Sequence, residues 1–593
     1  MSEGGASFLS LKQAGLWAAS AGLTLAWVLH RSRTTAHPQK RSSNSNDKAK
    51  EKEAVAAAGA SRWVSEEEPS SFEPPFIGTL DQGTSSTRFI VFDARLRAVV
   101  SYQLELQHIT PKDGWVEVDP KEILEQSRAC MRECMTLLEE LGFAGSTLKI
   151  FGLTNQRETS LVWDRQTGQP LANAIVWLDT RTSHMIDHLL KENEGRWGED
   201  GKNHFRSRCG LPLNPYFSAT KLKWLLQQVP AVQEALGQER CLFGTIDSWL
   251  IWNFTGGPNA GKHITDVTNA SRTMLMNLES LDWDASICEE LEIPMSILPT
   301  IRSSSEIYGH FCDDYPLRGV PIAGCLGDQQ ASLLGHLCLS EGEAKSTYGT
   351  GCFLLFNTGP KIVQSHSALT TVAYQLGPES PPVYALEGSI AVAGVALRWL
   401  RDEMQLISKY EEIDGIAGSV ADAGGMYFVP CFTGLFSPHW RTDARGVAVG
   451  ISQRVNKAHF IRAVLEGISY QTAEILTAMH EDSGVELRKL EVSGGMAHST
   501  VFLEVLADIL GIQVERPQNI ETTALGAAIA AGMAIGLFDQ HNLRERTTLH
   551  DNITTYNGSS SSKQRSKRRI GWEKAVRCTF GWADGEDDEE ENN

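Results

Sequence analysis

The sequence predicts an α/β protein whose body divides into two domains, and three observations carry that expectation. From Pro75 to about Gly536, short apolar runs rich in β-branched residues alternate with longer amphipathic stretches; strands interleaved with helices produce this pattern. The body is about 460 residues long, too long for one compact core when domains run to roughly 50–250 residues. A strand, a Gly/Ser/Thr turn and a second strand are written twice, as FIGTLDQGTSSTRFIVFD at 76–93 and EAKSTYGTGCFLLFN at 343–357.

In chain order the strand candidates are FIGTLDQ, FIVFD, KIFGLT, SLVWD, VPIAGCLG, CFLLF, MYFVP and LEVSGG. The helix candidates are residues 121–142, 458–482 and 500–511, each with apolar residues at three- and four-residue spacing. The division this predicts is a hydrophobic segment with a disordered linker (1–75), an N-terminal domain (76–340), a C-terminal domain (341–550), and a polar loop, terminal helix and acidic tail (551–593).

Lys and Arg total 54 against 73 Asp and Glu, a net charge of −19. Such a surface repels phosphate backbones, which excludes nucleic acid as a partner. The 11 cysteines include no CxxC, and Cys130 and Cys134 have no second pair to complete a zinc site. Free thiols in a reducing compartment follow. The basic run SSSSKQRSKRR is read as a flexible surface loop, and ADGEDDEEENN as a solvated tail.

The first residues pose a membrane question. AGLWAASAGLTLAWVL at 14–29 is uncharged; extended back to Ala6 it reaches the roughly 20 residues a spanning helix needs. A secretory signal would carry more charge before this run, and a transit peptide would carry dispersed Arg. The basic excess follows the segment, so an anchor through residues 6–29 fits best, leaving the body in the cytosol at the mitochondrial outer membrane or another membrane. The sequon at Asn269 lies in the folded body and mildly favours that side.

Three clusters carry chemistry. Asp81-Gln-Gly-Thr84-Ser85-Ser86 closes the first strand: Asp81 can hold a metal, Thr84, Ser85 and backbone amides suit phosphate oxygens, and Arg88 is near enough to neutralise charge. A bare Asx turn is the plain alternative. Arg157-Glu158 offers a donor and an acceptor to a polyol; a surface ion pair is the alternative. Asp328 follows a buried strand beside Gly327 and suits a general base taking a proton from an attacking hydroxyl. It also suits an N-cap, and both roles are compatible. Two hydroxyl-rich turns, one per domain, suggest a nucleotide held across a cleft. Gly256–His263 nearly spells a P-loop, but His263 stands where the Mg²⁺-ligating hydroxyl belongs.

Fourteen motifs then occur in order, among them LDQGTSSTR, NQRET, NAIVWLDTRT, PYFSATKLKW, FGTIDSWLIW, TDVTNASRTML, GDQQASL, STYGTGCFLLFNTG, YALEGS and TTALGAA. Together they closely resemble the glycerol kinases of the FGGY carbohydrate kinases, over roughly 76–582. The resemblance implies two ribonuclease-H-like domains of the actin and Hsp70 type flanking a deep cleft. It implies ATP, Mg²⁺ and glycerol as ligands, and a homo-oligomer. By resemblance the glycerol contacts are Arg157, Glu158, Trp177, Tyr216, Asp328, Gln329 and Phe353. Asp328 is the catalytic base, with Asp81 and Asp328 at the metal. Thr84, Ser85, Ser86 and Arg88 form one phosphate hairpin, and Thr350 and Gly351 the other. Gly394, Arg398, Gly495 and Ser499 fall at the nucleotide.

The sequence also departs from the family. Ser499 stands where Asn is usual, which removes an amide near the adenine edge. Arg441 replaces an acidic residue, and Asn214 and Ala219 flank Tyr216 where Asp and Gly occur in some members. The segment 308–320 lacks the Gly-rich loop with which bacterial members bind fructose 1,6-bisphosphate. A kinase for another small polyol or sugar, a catalytically weak tethered scaffold, and an actin-like ATPase are the competing readings. Trp177 and Phe353 disfavour a bulky sugar, and Arg157-Glu158 disfavours the ATPase.

Overall fold

The computed structural model describes residues 60–583, apart from Thr433, Trp440, Thr442, 518–520 and 547–552. The apolar segment 6–29 and nearly all of the acidic tail lie outside the described residues. No described helix is long and apolar enough to cross a membrane.

The first sheet comprises β1 (Ser61–Val64), β2 (Phe76–Gln82), β3 (Ser86–Phe92), β4 (Ala98–Glu105), β5 (Leu148–Asn155), β6 (Ser305–His310) and β7 (Pro321–Gly327), in the order β1-β4-β3-β2-β5-β7-β6. β2, β3 and β4 form an antiparallel meander, while β5 and β7 run parallel to β2. α1 (Pro120–Glu140) begins at Asp119, whose carboxylate accepts from the Lys121 amide as an N-cap, and it covers β3 and β4. α2 (Asp328–Gly335) follows β7 directly.

The second sheet comprises β8 (Glu343–Tyr348), β9 (Cys352–Gly359), β10 (Leu369–Tyr374), β11 (Val383–Ile390), β12 (Lys489–Ser493), β13 (Gln513–Pro517) and β14 (Ile553–Tyr556), in the order β10-β11-β9-β8-β12-β13-β14. Again three strands, β8, β9 and β11, are antiparallel, and β12 and β13 run parallel to the first of them. The repeat read from the two hairpins therefore extends to five strands in each sheet.

The longer helices of the second half are α3 (Gly394–Asp402), α4 (Lys457–Ser483), α5 (Thr500–Leu510) and α6 (Thr522–Ala534), with α7 (Ser562–Arg577) after them. α2 and α6 lie between the sheets. One apolar cluster joins Ile77, Ile90 and Ile150 of the first sheet to Leu355, Ala373 and Ala385 of the second through Leu333, Leu334, Ala524 and Ala528. α2 and α6 touch backbone to backbone, because a Cβ on Gly335 or Gly526 would overlap the carbonyl of Thr522 or Ala331. TTALGAAIAAGMA, apolar all round and small, is the composition such close approach requires.

Two expectations are corrected. The linker is ordered from Ala60 onward: SRWV pairs antiparallel with the edge of β4, Val64 opposite Val100, and Arg97 ties Glu67 to the same edge at 2.9 Å. β-Branched and aromatic residues beside an open sheet edge explain this. SSSSKQRSKRR is the start of α7 rather than a loop. Ser561 and Gln564 make a reciprocal capping box, Arg568 pairs with Asp508 at 2.7 Å, and Trp572 stacks on Tyr470 of α4. Cys130 and Cys134 are buried on α1 and donate to strand carbonyls, as core thiols do. Gly256–His263 follows a helix, Ile246–Phe254, not a strand, and His263 packs edge-on against Trp163. Buried Asn269 bonds Asn155, so the sequon is closed to a glycan.

Candidate active site

The strands of the first sheet that point the same way end together, and their ends carry the predicted side chains. β2 ends at Asp81-Gln82, β5 hands over to Gln156-Arg157-Glu158, and β7 ends one residue before Asp328. In parallel α/β sheets this end is where ligand loops gather.

A buried charge network forms the floor. Arg157 reaches three carbonyl or carboxylate groups. Its Nη1 and Nη2 grip Glu387 of β11 at 2.5 and 3.0 Å, its Nη1 meets Gln330 Oε1 at 3.3 Å, and its Nε lies 3.3 Å from Asp328 Oδ1. Arg272 shares Glu387 Oε1 with Arg157, donating to it at 3.1 Å, and donates through Nε to Glu158 at 2.6 Å. Two guanidiniums and two carboxylates thus balance in a region closed to water. Burial pushes the Glu387 carboxyl up, but Arg157 and Arg272 outweigh it and hold it down at about 2.

The alternative of a surface ion pair between Arg157 and Glu158 does not hold, because both side chains are buried. Each residue has a separate partner, Glu387 for Arg157 and Arg272 for Glu158, neither of which the sequence reading had singled out. TDVTNASRTML and YALEGS contain both residues, but separations of 114 and 230 positions hide who meets whom. Glu158 also holds a left-handed φ of 58°, a strain of about 1–3 kcal/mol for a non-glycine residue. The Ser160 and Ser218 hydroxyls donate to its carbonyl and fix it there.

Asp328 differs from its neighbours in access. Its side chain is 26% exposed, against 2% for Glu387 and 1% for Glu158. It is the open carboxylate of the group, pinned from behind by Arg157. Its Oδ1 also accepts from the Gln329 amide at 2.7 Å, at the first turn of α2. Gln329 Oε1 in turn accepts from Lys345 Nζ of β8. Lys345 is a third residue that sequence reasoning passed over.

Beside this floor stands an aromatic wall, the Arg272 guanidinium lying 5.8 Å from the Tyr216 ring centroid. Trp177 meets Tyr216 edge-on at 5.4 Å and Phe353 of β9 at 6.2 Å. The Trp177 indole donates to Thr84 Oγ1 at 2.9 Å, which ties the wall to the first hairpin. Asn214 accepts from the Tyr216 amide at 3.0 Å, and the buried Ala219 donates to the Thr273 carbonyl, so these departures serve the local turn. Burial pushes the Tyr216 phenol well above its usual range.

At the first hairpin, Gly83 N–H closes on the Ser86 carbonyl at 2.9 Å, leaving the Ser85 and Ser86 hydroxyls without a partner among the described residues. Asp81 lies opposite Arg88 in the ladder, so both side chains leave the same face. Arg88 is engaged: it pairs with Glu521 at the head of α6 and donates to Gln103 at 2.7 Å. The Asp81 carboxyl has no hydrogen bond or ion pair among the described residues. Lost hydration raises it to about 7; Arg88 pulls it down, while Glu521 and Asp328 push it up. A recess where carboxylates repel one another fits a bound cation. The tighter grouping of Asp247, Asp266 and Cys325 does not. Its carboxylates already accept from Thr245, Thr265, Thr268, Ser304 and Asn269.

Residues 76–335 match the model of the FGGY family of carbohydrate kinases, N-terminal domain, and residues 344–535 match its C-terminal domain. The chain belongs to the FGGY carbohydrate kinases. A probable glycerol kinase of Dictyostelium discoideum is 48% identical over 543 residues, spanning 86% of this chain and 99% of that protein. The glycerol kinase of Arabidopsis thaliana is 48% identical over 522 residues, with the same coverage. The crystal structure of Plasmodium falciparum glycerol kinase with ADP superposes with a TM-score of 0.79 at 37% identity, over 85% of this chain and 98% of that one. A ligand-bound xylulose kinase from Lactobacillus acidophilus, 21% identical, shares the fold with a TM-score of 0.73.

In this FGGY chain the second hairpin is shaped by backbone. Gly349 N–H closes on the Gly351 carbonyl, and the amides of Ala393, Gly394 and Val395 donate to the carbonyls of Gly349 and Thr350. A Cβ on Gly394 would fall 2.5 Å from the Gly349 oxygen, and one on Gly351 2.6 Å from that of Ile390. The Gly394 amide is therefore spent on the hairpin; the residue serves close approach. Arg398, one turn along α3, has no hydrogen bond or ion pair among the described residues. Gly495 is exposed with open space where a Cβ would stand. The Ser499 hydroxyl caps α5 by accepting from the Phe502 amide at 3.0 Å and donates to Asp414. Arg441 pairs with Asp443 at 2.5 Å and lies over the Phe580 ring, a surface clasp.

Proposed function

We infer that this chain transfers the terminal phosphoryl group of ATP to a primary hydroxyl of glycerol, giving glycerol 3-phosphate and ADP. The observation that carries the reading is the accessible Asp328 carboxylate, held 3.3 Å from the buried Arg157 guanidinium at the strand ends of the first sheet; Trp177, packed on Tyr216 and Phe353, supplies the apolar surface for the carbon chain in this reading. The acceptor is held by the 76–340 domain and the nucleotide by the 341–550 domain.

Asp328 accepts the proton of the attacking hydroxyl, and a positioned base contributes about 10²–10⁴-fold. Arg157 fixes the orientation of that carboxylate. Glu158, clamped by Arg272, accepts from a second hydroxyl, and the Gln329 amide reaches the third. The rings lie against the three-carbon chain, and their bulk disfavours a larger sugar. Thr84, Ser85 and Ser86 offer hydroxyls to phosphate oxygens from one domain, and Thr350 and Arg398 from the other. Asp81, with Asp328 beyond it, would hold Mg²⁺, which when bound offsets phosphate charge. Catalysis of this kind is mostly positioning and electrostatics.

The test is ADP release by the full chain on a panel of glycerol, dihydroxyacetone, erythritol and xylulose. Glycerol is expected to give the highest kcat/KM, and Asp328→Asn to lower kcat at least about 100-fold with glycerol binding retained. ATP hydrolysis independent of any acceptor would instead mark an ATPase, and absence of nucleotide binding a scaffold.

A further inference from the structure

Lys345 leaves β8 of the second sheet, its side chain buried, and ends beside the start of α2. Its Nζ donates to Gln329 Oε1 at 2.5 Å and to Thr347 Oγ1 at 3.2 Å, and Thr347 Oγ1 itself meets Ser493 Oγ at 3.1 Å. No carboxylate stands within ion-pair distance of it among the described residues, so its charge is compensated at longer range by Asp328 and Glu387, with Arg157 opposing. A buried ammonium without an ion pair is costly to keep.

An ammonium has three donors and no acceptor. Whatever it meets must be an acceptor, so Lys345 dictates which end of the Gln329 amide faces it. The carbonyl oxygen turns to Lys345, which leaves the NH₂ on the side of the amide away from the lysine. Without Lys345 the amide could rotate by half a turn and present an acceptor there instead. The Thr347–Ser493 contact ties the lysine to two strands of the second sheet, while Gln329 stands at the head of a helix that follows the first. The orientation of Gln329 therefore depends on how the two halves meet.

We propose that Lys345 is a positioning residue that locks the Gln329 amide with its NH₂ toward the acceptor, so that Gln329 donates to a substrate hydroxyl oxygen. This rests on the reading of the site beside Asp328 as the glycerol site. Burial, partly countered by Asp328, holds the Lys345 ammonium down at about 8, so it remains charged near neutral pH.

The test is a double-mutant cycle on the full chain, with Lys345→Met, Gln329→Ala and the pair, following glycerol KM and kcat by ADP release. Each single change is expected to raise glycerol KM about tenfold and to lower kcat by less, since one hydrogen bond to the substrate is lost in either case. The double variant is expected to be no worse than the poorer single one. Single effects that multiply, or a KM within twofold of the parent in Lys345→Met, would overturn the proposal. Should Lys345→Met melt early, Gln329→Glu is read in its place. It keeps an acceptor for Lys345 and removes the donor, so its glycerol KM must rise while its melting temperature holds; an unchanged KM overturns the proposal. A parent without turnover on any acceptor would overturn the functional reading, and this inference with it. Turnover with independent single effects overturns this inference alone.

Discussion

The two sheets are built to one plan and work in opposite ways. At the strand ends of the first, chemistry rests on side chains: Asp81, Arg157, Glu158 and Asp328, with Arg272 beside them. At the matching ends of the second, β8 closes on buried Tyr348 and β12 on Ser493-Gly494, and the hairpin is Gly349-Thr350-Gly351. There the backbone does the work, and glycines keep side chains out of the way. Glu387 and Lys345 are the exceptions, charged groups of the second sheet that reach across to serve the first. The first half should therefore be sensitive to atoms removed and the second to atoms added.

The largest effect should follow from breaking the link at Glu387. Glu387→Gln leaves Arg157 and Arg272 buried around a neutral amide, and stripping one partner from a buried ion cluster costs about 3–5 kcal/mol. Denaturant unfolding should report that loss. Glu387 has a folded pKa of about 2 against an ordinary 4.5, so its contribution is whole above pH 4.5 and is lost as pH falls toward 2. The parent should lose stability across that window, and Glu387→Gln should be flatter there. Equal slopes would show that the clamp is not what joins the halves.

How far this contrast was legible in the sequence depends on the range of the interactions. β2, β5, β7 and β9 could be read because each is a short apolar run that ends in a turn, a local signal. β1 was missed because an edge strand of four residues has no apolar period of its own; the free edge of β4 creates it. A terminal helix was expected, but the start of α7 was read as a loop although Ser561 and Gln564 spell a capping box. At the site, Asp81 and Asp328 drew attention by their own type and place at strand ends, whereas the aromatic trio came only from the family resemblance. The partner of Arg157 was not readable, because a guanidinium does not announce which of several distant carboxylates it will meet. Ser499 shows the converse: its place in the sequence suits a nucleotide contact, while its hydroxyl also serves its own helix and Asp414.

The addition side of the contrast is tested at Gly394. Gly394→Ala places a methyl 2.5 Å from the Gly349 oxygen, and a backbone atom cannot swing aside as a side chain would. Overpacking of this kind costs about 1–3 kcal/mol. Part of that should appear as displacement of the second hairpin, raising the ATP KM about tenfold while glycerol KM stays near the parent value. Equal changes in both KM values would mean that the hairpin serves the acceptor as much as the nucleotide.

The smallest effect is expected at Ser499, where the two accounts of one residue diverge. As a helix cap it stabilises α5, and Ser499→Ala should cost about 1 kcal/mol of stability, the usual value of a lost N-cap. The tie to Asp414 adds little, because that carboxylate keeps the Thr500 amide at 2.9 Å. The ATP KM should then move less than twofold. As a nucleotide contact, Ser499 would behave the other way, with KM rising and the melting temperature unchanged. A thermal melt beside an ATP titration separates the two. The second domain conforms to its backbone-built character only if the melt is what moves.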